Sequence, residues 1–484
     1  MKLRGTTLIL AVGLGAAALL AVPRARAQHV GVQIAPTGSD AAAHGAAGRL
    51  VPGRGPAFSR EEALAALGKI PPARCPCPYT ILVSLPRPGE HGYEGLEWLS
   101  ISGPGYRPGA MLVSDRTRIP GLVSIFDLKP TVEALDHGER PPVTAKPVDD
   151  VLPRLERLGE RLDAAHKTRE PAALALAGAI VLFALLGLLA RSTLLARAAL
   201  LAAPVALASA LALSALEVTE PWIVAASLAA ITVVGALVLA AMTARQPMLA
   251  VALFAIFPLY LIVLSWSTET SSFAAIGARP ENGGRFYGFQ NQVETLLLVP
   301  GLLGAALAGR RLFIPVALLV LVTVGASFAG ADGGGVLVFA AGYLFLWLRL
   351  RDVPLTARNL ALAGAVVVGV AVALVGVDAA LGGSSHVTRA LEGGPVSVLG
   401  DMAHRLRLSA DGLVSSRDSA LIIASSLPVF AWVASRRPRF ATVDAVLVAV
   451  AVSLLVNDSP RDVAGIGALS CAALRVWKDV RRVQ

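Results

Sequence analysis

The chain has 484 residues, a formal net charge of +10 and a mean hydropathy of +0.66, with 55% hydrophobic and only 16% charged residues. Soluble domains usually carry about a quarter charged residues, so this composition excludes a wholly water-soluble protein. A basic chain can bind nucleic acid, but most arginines here occupy short loops between apolar blocks. Arginines in such loops indicate which side of the membrane each loop lies on. The composition predicts an α-helical polytopic membrane protein with no nucleic-acid partner.

The first 27 residues have the composition of a secretory signal peptide. Lys2 and Arg4 precede an apolar stretch over 8–22, and the small-residue pattern Ala25-Arg26-Ala27 follows. This order of charge, apolar stretch and cleavage site is typical of an exported protein. We predict a signal peptide over 1–27 that is cleaved after Ala27, with an uncleaved anchor as the alternative.

The exported part falls into two segments of different composition. Residues 28–74 are rich in Gly, Ala and Pro, and we expect a flexible segment. Residues 75–170 are predicted to form a small extracytoplasmic α/β domain, with a strand at 80–84 and a helix near 128–135. A charged helix over 150–168 is predicted to lead into the first membrane span.

Three cysteines bear on metal binding and redox chemistry. Cys75 and Cys77 lie in the exported part, where they either form a tight disulfide or stay unbonded. Two cysteines without a second pair fall short of a tetrahedral metal site. Cys471 is expected to be an inert apolar side chain, and we predict neither a metal nor a cofactor.

Residues 171–484 are predicted to form a multi-helix transmembrane domain with about 11 spans. If 28–170 lie outside, the loops predicted to be inside hold most of the basic residues, as the positive-inside rule requires. This topology predicts a multi-pass protein of the inner (plasma) membrane with a cytoplasmic C-terminus. The apolar blocks lie at 172–190, 198–216, 222–242, 247–266, 293–308, 312–329, 334–348, 358–377, 419–434, 441–456 and 463–475.

The predicted outside loop 267–292 contains four candidate substrate-binding residues, Arg285, Tyr287, Gln290 and Asn291, and Glu294 follows at the start of a span. A guanidinium binds phosphate or carboxylate with two hydrogen bonds, and Glu294 is a candidate catalytic base. Placing several polar side chains at a membrane boundary costs desolvation free energy, so such a cluster is more often part of a functional site. The alternative is an interfacial loop with an aromatic anchor and a capped helix.

Two further outside turns carry carboxylates. Asp332 precedes three glycines, so it either contributes to an anion site at a helix N-terminus, with a catalytic role, or simply caps a tight turn. Asn457 and Asp458 are substrate-binding candidates, although Asp458 equally suits a helix cap. Asp444 is a second candidate carboxylate, placed either within the membrane with an outside arginine or near the inner boundary.

A long predicted outside segment, 378–418, contains His386 and Arg389. These residues are three apart, so in a helix they would share a face, with His386 as general base and Arg389 holding an anionic group. The alternative is a structural histidine. The basic amphipathic stretch 401–417 is predicted to lie on the bilayer surface or to cover a central cavity.

Several of these motifs resemble those of a bacterial polytopic membrane protein family with an N-terminal exported domain similar to the alkaline-phosphatase superfamily. Residues 114–132 look like the closing segment of that exported domain. Motifs in the membrane region resemble further family positions, in the same order. These motifs are Arg285-Phe286-Tyr287-Gly288-Phe289-Gln290-Asn291, Asp332-Gly333-Gly334, Ser385-His386-Val387-Thr388-Arg389 and Asn457-Asp458-Ser459. The resemblance spans roughly 75–475, and the family has no settled activity.

The exported domain departs from that family pattern. Alkaline-phosphatase-type hydrolysis needs two metals held by Asp and His, and a Ser or Thr nucleophile. The chain has no room for the usual first half, and Asp136-His137-Gly138, which resembles a metal motif, follows the matching segment in the wrong order. We therefore expect a degenerate, non-catalytic domain that serves in binding or docking.

The sequence is consistent with three functions. The first is a transferase-like site on the extracytoplasmic face that handles an anionic or lipid-linked envelope substrate. The second is a transporter or flippase with the same groups along its pathway. The third is a non-catalytic scaffold that recruits an envelope protein through the exported domain. Membrane lipid is the expected partner in every case.

Overall fold

The computed structural model describes residues 30–34, 45–55, 59–68, 77–90, 93–380 and 416–483. These residues form two compact units. The N-terminal unit extends to Leu155, and the second runs from Glu156 onward and also includes Thr117–Ile119. The predicted signal peptide over 1–27 lies outside the described residues.

The N-terminal unit is built on a mixed sheet of seven strands within the described part of the chain. Helix α1 (Arg60–Leu67) and helix α2 (Leu128–His137) accompany it, and α2 confirms the helix predicted near 128–135. The strands are β1 (Val30–Ile34), β2 (Ala46–Val51), β3 (Tyr79–Val83), β4 (Glu97–Ser102), β5 (Ala110–Ser114), β6 (Leu122–Ser124) and β7 (Val143–Pro147).

The sheet has the strand order β1-β3-β4-β2-β5-β7, with β6 paired to β2. β3 and β4 pair antiparallel, as do β2 and β4, whereas β1 runs parallel to β3. Leu50, Ile81, Leu99 and Ile101 are fully buried and form the core with Leu112. Alternating burial along β3 is the pattern expected of a strand in such a sheet.

For the described residues of 28–74, the expectation of a flexible segment is wrong, because β1, β2 and α1 lie there. Its small residues serve close packing. A Cβ on Gly45 would lie 2.3 Å from the carbonyl oxygen of Ile101, and Ala46 and Ala47 are buried in the central strand β2. A composition that resembles a disordered linker is here the composition of a tightly packed strand.

The cysteines are in two different states. Cys77 is disulfide-bonded, whereas the sequence alone left open whether this cysteine is bonded. Cys471 is free and buried in the helical unit, as expected of an apolar side chain.

The second unit is helical. The charged helix predicted over 150–168 continues without a break into the first apolar block, as the 39-residue helix α3. The helices are α3 (Val151–Leu189), α4 (Thr193–Ala215), α5 (Pro221–Met242), α6 (Gln246–Phe254), α7 (Ile256–Trp266), α8 (Thr268–Ser272), α9 (Asn291–Ala308), α10 (Phe313–Gly325), α11 (Gly333–Leu350), α12 (Ala357–Ala380), α13 (Arg417–Ser435), α14 (Ala441–Val456) and α15 (Pro460–Val483).

Eight helical stretches among the described residues are long and apolar enough to cross a membrane, with α6 and α7 forming one of them. This is the architecture of a helical protein embedded in a membrane. Two predicted spans correspond to the shorter apolar helices α10 and α14. The predicted span 463–475 lies within α15, which is not among the eight. The count of 11 therefore stays a prediction.

Helix α9 occupies the centre of the helical unit, where it contacts α4, α6, α10, α11, α14 and α15. Leu297, Leu298 and Leu302 are fully buried. Gly301 allows close packing, since a Cβ there would meet the ring of Phe339 at 2.9 Å. Glu294, in the first turn of α9, is fully buried among these helices.

Candidate functional site

Residues from three predicted outside segments meet at one end of the helical unit. We call Arg285, Asn291, Glu294, Asp332, Ser453, Asn457 and Asp458 the helix-end cluster. Arg285 precedes α9, Asn291 and Glu294 lie in its first turn, and Asp332 precedes α11. Ser453 is in the last turn of α14, and Asn457 and Asp458 follow it.

The loop before α9 is fixed against the turn before α11. The backbone N–H of Phe289 donates to the carbonyl of Gly330 at 2.8 Å. Gly288 has φ +81°, and a Cβ there would lie 2.2 Å from the same oxygen, so only glycine fits. The ring of Phe289 is fully buried and packs edge-to-face on Tyr260, with centroids 4.9 Å apart. These contacts bring Arg285 to Asp332.

Arg285 and Asp332 form an ion pair in which both partners keep an unused atom. Arg285 Nη2 donates to Asp332 Oδ1 at 3.3 Å. Asp332 is only 2% exposed, and its side chain makes no helix-capping hydrogen bond. Within the described structure, Asp332 Oδ2 and Arg285 Nη1 are buried without a hydrogen-bond partner. The simple cap that was the alternative for Asp332 therefore does not describe its side chain.

Glu294 is fully buried beside this pair. Its Oε1 accepts from Ser453 Oγ at 3.2 Å, and its Oε2 accepts from Asn457 Nδ2 at 2.9 Å. Asn457 Nδ2 also lies 2.8 Å from Ser453 Oγ. The carboxylates of Glu294 and Asp332 repel one another electrostatically. The cluster thus places two acidic groups and one guanidinium in a largely desolvated space.

Two glycines at the start of α11 allow the close approach of these groups. A Cβ on Gly334 would lie 2.7 Å from Asn457 Oδ1, and a Cβ on Gly335 would lie 2.9 Å from Asp332 Oδ2. The run of glycines after Asp332 therefore makes room for the polar side chains.

The rim of the cluster is partly exposed. Asn291 Nδ2 donates to Asp458 Oδ1 at 3.0 Å, so Asp458 contacts α9 as well as the start of α15. Arg279 Nη2 lies 3.1 Å from Gln292 Oε1 and 4.0 Å from Asp462 Oδ2. Arg279, Gln292 and Asp462 were not among the predicted site residues. Their positions at or near the ends of apolar blocks were the signal that could have identified them.

Two other predicted residues lie near the cluster without joining its carboxylates. The carbonyl of Gln290 accepts the backbone N–H of Glu294 at 2.9 Å, so Gln290 marks the start of α9. The half-buried ring of Tyr287 lies under the guanidinium of Arg118 at 4.4 Å, within the same compact unit. Tyr287 is therefore an aromatic contact of the loop.

His386 and Arg389 lie outside the described residues, as does nearly all of the stretch 401–417. Their proposed roles as base and anion ligand stay predictions. In the parts of the chain that the structure describes, no group of three His, Cys, Asp or Glu residues could hold a metal ion. His137, in the sequence that resembles a metal motif, has its Nδ1 2.6 Å from the Glu133 carbonyl oxygen.

A buried ion pair fixes the loop before α9 to helix α3. Arg169 Nε and Nη2 donate to the two carboxylate oxygens of Glu281 at 2.7 and 3.1 Å. Arg169 also donates to the carbonyls of Ala274 and Ser272. Burial raises the pKa of the Glu281 carboxyl, but the charge of Arg169 and hydrogen bonds outweigh burial, and the pKa is lowered overall.

Asp444 lies with basic residues of the predicted inside loops. Its carboxylate is 3.3 Å from Arg349 Nη2 and 3.5 Å from Arg439 Nε. The prediction of an outside arginine as its partner is therefore wrong, and the alternative placement near the inner boundary fits these contacts. Asp444 is too far along α14 from Ser453 and Asn457 to belong to the helix-end cluster.

The cluster has the groups needed to bind an anion and to accept a proton. The free guanidinium nitrogen can donate to a phosphate or carboxylate, and the free carboxylate oxygen can take a proton from a hydroxyl. Comparison of the chain with protein-family models, with curated proteins and with solved structures finds no match.

Proposed function

We propose that the helix-end cluster binds a lipid-linked, phosphate-bearing envelope substrate on the extracytoplasmic face of the inner membrane and catalyses group transfer. One observation carries this proposal: half-buried Arg285 pairs with buried Asp332, yet the buried atoms Nη1 and Oδ2 have no partner among the described residues. Buried polar atoms are normally satisfied, and exceptions often mark sites that a ligand completes.

The two free atoms suit the two roles that group transfer requires, activation of the acceptor and stabilisation of the leaving group. Asp332 Oδ2 accepts the proton of an acceptor hydroxyl while the hydroxyl oxygen forms a bond to the transferred group. The bond between that group and the lipid phosphate breaks, and its electron pair stays on the phosphate oxygen. Arg285 stabilises this negative charge, which is the usual role of a guanidinium in such reactions.

The remaining predicted residues have supporting roles in this proposal. Glu294, held by Ser453 and Asn457, is a second acidic group that positions Asp332 and Arg285. Asn291 and Asp458 form the rim that a substrate headgroup passes. His386 and Arg389 are proposed as a further base and anion ligand, because their spacing of three residues would place them on one face of a helix. The N-terminal unit is proposed as a degenerate alkaline-phosphatase-like docking module for an envelope protein.

A transporter is the second candidate, and the burial of Glu294 favours it. Glu294 is 0% exposed and interacts electrostatically with Asp332, an arrangement in which one proton can be shared between two carboxylates. Ionisable residues buried within a membrane protein often lie on ion or proton pathways. A transporter would open this cluster alternately to both sides of the membrane.

The first test of the proposed function compares two ligands that differ only in phosphate. The purified chain is mixed with polyprenyl phosphate or with the uncharged polyprenol of the same length, and bound lipid is measured by native mass spectrometry. We expect at least about tenfold stronger retention of the phosphate, equivalent to about 1.4 kcal/mol. Equal retention of the two lipids would contradict recognition of the phosphate.

A second measurement distinguishes transfer from transport. Single cysteines placed along the half of α11 near Arg349 are labelled with a water-soluble maleimide, with and without polyprenyl phosphate. A transferase predicts labelling that the lipid leaves unchanged, and a transporter predicts labelling that changes with it. A scaffold predicts neither phosphate retention nor a change in labelling.

A further inference from the structure

Basic side chains gather at the end of α14 opposite the helix-end cluster. They come from the last turn of α11, from the turn before α14 and from the C-terminal part of α15. They share no residue with the helix-end cluster, so a ligand bound here would be independent of the proposed group transfer. We call the following residues the C-terminal basic cluster: Arg349, Arg439, Asp444, Arg475, Lys478, Asp479 and Arg481.

Helix α15 holds the turn that carries the cluster. Arg475 is 1% exposed, and its Nη1 donates to the carbonyl of Pro438 at 2.9 Å. The ring of Phe440, at the end of that turn, lies 5.0 Å from the guanidinium of Arg475 and 5.7 Å from Lys478 Nζ. These contacts bring Lys478 to the turn that contains Arg439.

The two carboxylates of the cluster are already used by arginines. Asp479 binds Arg475 through both oxygens, at 3.0 and 2.9 Å, so this pair is neutral. Asp444 is shared between Arg349 Nη2 at 3.3 Å and Arg439 Nε at 3.5 Å. This second group therefore keeps one positive charge in excess.

Lys478 and Arg481 add two further positive charges. Both cations contact the ring of Trp477, with Lys478 Nζ at 5.0 Å and the Arg481 guanidinium at 5.4 Å from its centre. Neither forms an ion pair with a carboxylate of the described residues. Burial and the charge of Arg481 lower the pKa of Lys478 from 10.5 to about 8. An anion beside these two cations would relieve their repulsion.

The end of α14 also has unused hydrogen-bond donors. Arg349 Nε and Thr442 Oγ1 are buried and have no hydrogen-bond partner in the described part of the chain. Thr442 is 5% exposed and lies in the first turn of α14, where the N-cap residue Phe440 makes no side-chain capping bond. A helix N-terminus carries a positive partial charge, so α14 adds to the attraction for an anion.

Two tryptophans indicate the depth of the cluster in the membrane. Trp347 lies two residues before Arg349 in α11, and Trp432 lies in the last turn of α13. The guanidiniums of Arg351 and Arg436 stack on these two rings, each at 5.4 Å. Tryptophan and arginine at helix ends are typical of the membrane interface. The basic groups therefore lie at the level of lipid headgroups.

We propose that the C-terminal basic cluster binds the phosphate of an anionic phospholipid in the cytoplasmic leaflet. The phosphate lies beside Lys478 and Arg481, which have no carboxylate of their own in the described structure, and the excess charge of Arg349 and Arg439 adds attraction. The acyl chains extend into the surrounding bilayer. A zwitterionic headgroup brings its own cation to the cluster and is therefore bound less tightly.

The test uses the full chain reconstituted in vesicles with equal amounts of phosphatidylglycerol and phosphatidylcholine that have identical acyl chains. Lipids retained after gentle purification are identified by native mass spectrometry. We expect phosphatidylglycerol to be enriched about tenfold or more, since each basic residue near the membrane surface adds about 1 kcal/mol to the binding of anionic lipid. Equal retention of the two lipids would overturn recognition of the anionic headgroup.

A soluble anion is distinguished from a lipid by competition. Glycerol phosphate, added at the same concentration as phosphatidylglycerol, has the headgroup chemistry without the acyl chains. We expect it to leave the enrichment unchanged. Displacement of phosphatidylglycerol by glycerol phosphate would assign the cluster to a soluble anion and overturn the lipid.

Two double variants assign the lipid to this cluster. Lys478→Gln/Arg481→Gln is expected to reduce the enrichment to the bulk proportion. Its unfolding temperature should match the wild type, because neither cation loses a carboxylate partner in the described structure.

The matched control is Arg310→Gln/Arg311→Gln. It removes the same charge from two exposed arginines between α9 and α10, in a loop predicted to lie on the same side of the membrane, and it should preserve the enrichment. Enrichment that persists in Lys478→Gln/Arg481→Gln, or that falls equally in both double variants, would overturn the assignment to this cluster.

Discussion

Glu281 illustrates how single residues hold the loop that carries Arg285. Its carboxylate is 1% exposed and bonded at both oxygens by Arg169, and His166 Nδ1 lies 3.6 Å away. Removing one partner of a buried pair leaves the other charge uncompensated and typically costs about 3–5 kcal/mol. Charge at this position is therefore important for stability, although Glu281 is not in the helix-end cluster.

We predict that Glu281→Gln markedly lowers the free energy of unfolding at pH 7, by about 3 kcal/mol or more. Thermal unfolding in detergent measures the change. Glu133→Gln, which removes one partner of the exposed Lys129–Glu133 pair, is the matched control and should have little effect. Similar small effects for both variants would contradict a structural role for the Glu281–Arg169 pair.

The same pair predicts a pH dependence. The pKa of Glu281 is lowered from 4.5, so its ionised form stabilises the fold above that pH, and this stability is lost as the pH falls through the lower pKa of the folded state. The difference in unfolding temperature between the wild type and Glu281→Gln should shrink as the pH falls below 4.5. A constant difference would show that the charge of Glu281 is not responsible.

The sequence singled out many residues of the helix-end cluster but not their partners. Glu294, Asp332, Asn457 and Asp458 stood out because each is a polar residue at the edge of an apolar block. Ser453 did not, since serine is common within membrane helices, where it bonds to its own backbone. That Asn457 bonds to Glu294, far away in sequence, depends on helix packing, which a single sequence does not reveal.

At the scale of elements, the loop between α8 and α9 is fixed by glycine conformation. Gly288→Ala would place a Cβ against the Gly330 carbonyl at a positive φ, and the left-handed backbone alone costs about 1–2 kcal/mol for an alanine. We predict a lower unfolding temperature and weaker retention of polyprenyl phosphate. Both effects follow from displacement of Arg285 from Asp332.

Gly284→Ala is the matched control for this substitution. Gly284 lies in the same loop, and a Cβ there would meet nothing within 4 Å. We expect this variant to unfold and to retain lipid like the wild type. If Gly284→Ala and Gly288→Ala behaved alike, close approach of the loop to the α11 turn would not be what holds the site.

Helices with a long periodic pattern of apolar residues were predicted correctly, whereas strands in the glycine- and alanine-rich segment were missed. The helix at 128–135 and the helix over 150–168 were clear from their periodicity, and both are present. Strands β1 and β2 were missed because glycine and alanine suggested flexibility. Their burial results from pairing with β3 and β4, and these long-range pairings are not encoded in the local composition.

At the scale of the whole molecule, the polar groups divide between two ends of the helical unit. Asp458 belongs to the helix-end cluster, and Arg437 lies in the turn before α14, at that helix's opposite end. Our topology predicts that a cysteine at 458 reacts with an impermeant maleimide in intact cells, and one at 437 only after permeabilisation. The free Cys471 is buried and serves as the unlabelled background.

The reverse labelling pattern would contradict the extracytoplasmic position of the helix-end cluster. The number of spans bears on the same question, because each added span moves every later loop to the opposite side of the membrane. The described residues contain eight helical stretches long enough to cross a membrane. All the cluster residues lie on one side of the membrane only if the two shorter helices, α10 and α14, cross it as well. Labelling at 458 and 437 tests the crossing of α14 directly.

Retention of polyprenyl phosphate by the double variant Arg285→Gln/Asp332→Asn is the most direct test of the helix-end cluster as a substrate site. This variant removes both charges of the pair, so neither is left unpaired, and we expect its unfolding temperature to match the wild type. If the pair binds substrate, retention falls at least about tenfold. A double variant that folds and retains the lipid as the wild type does would contradict the proposed site.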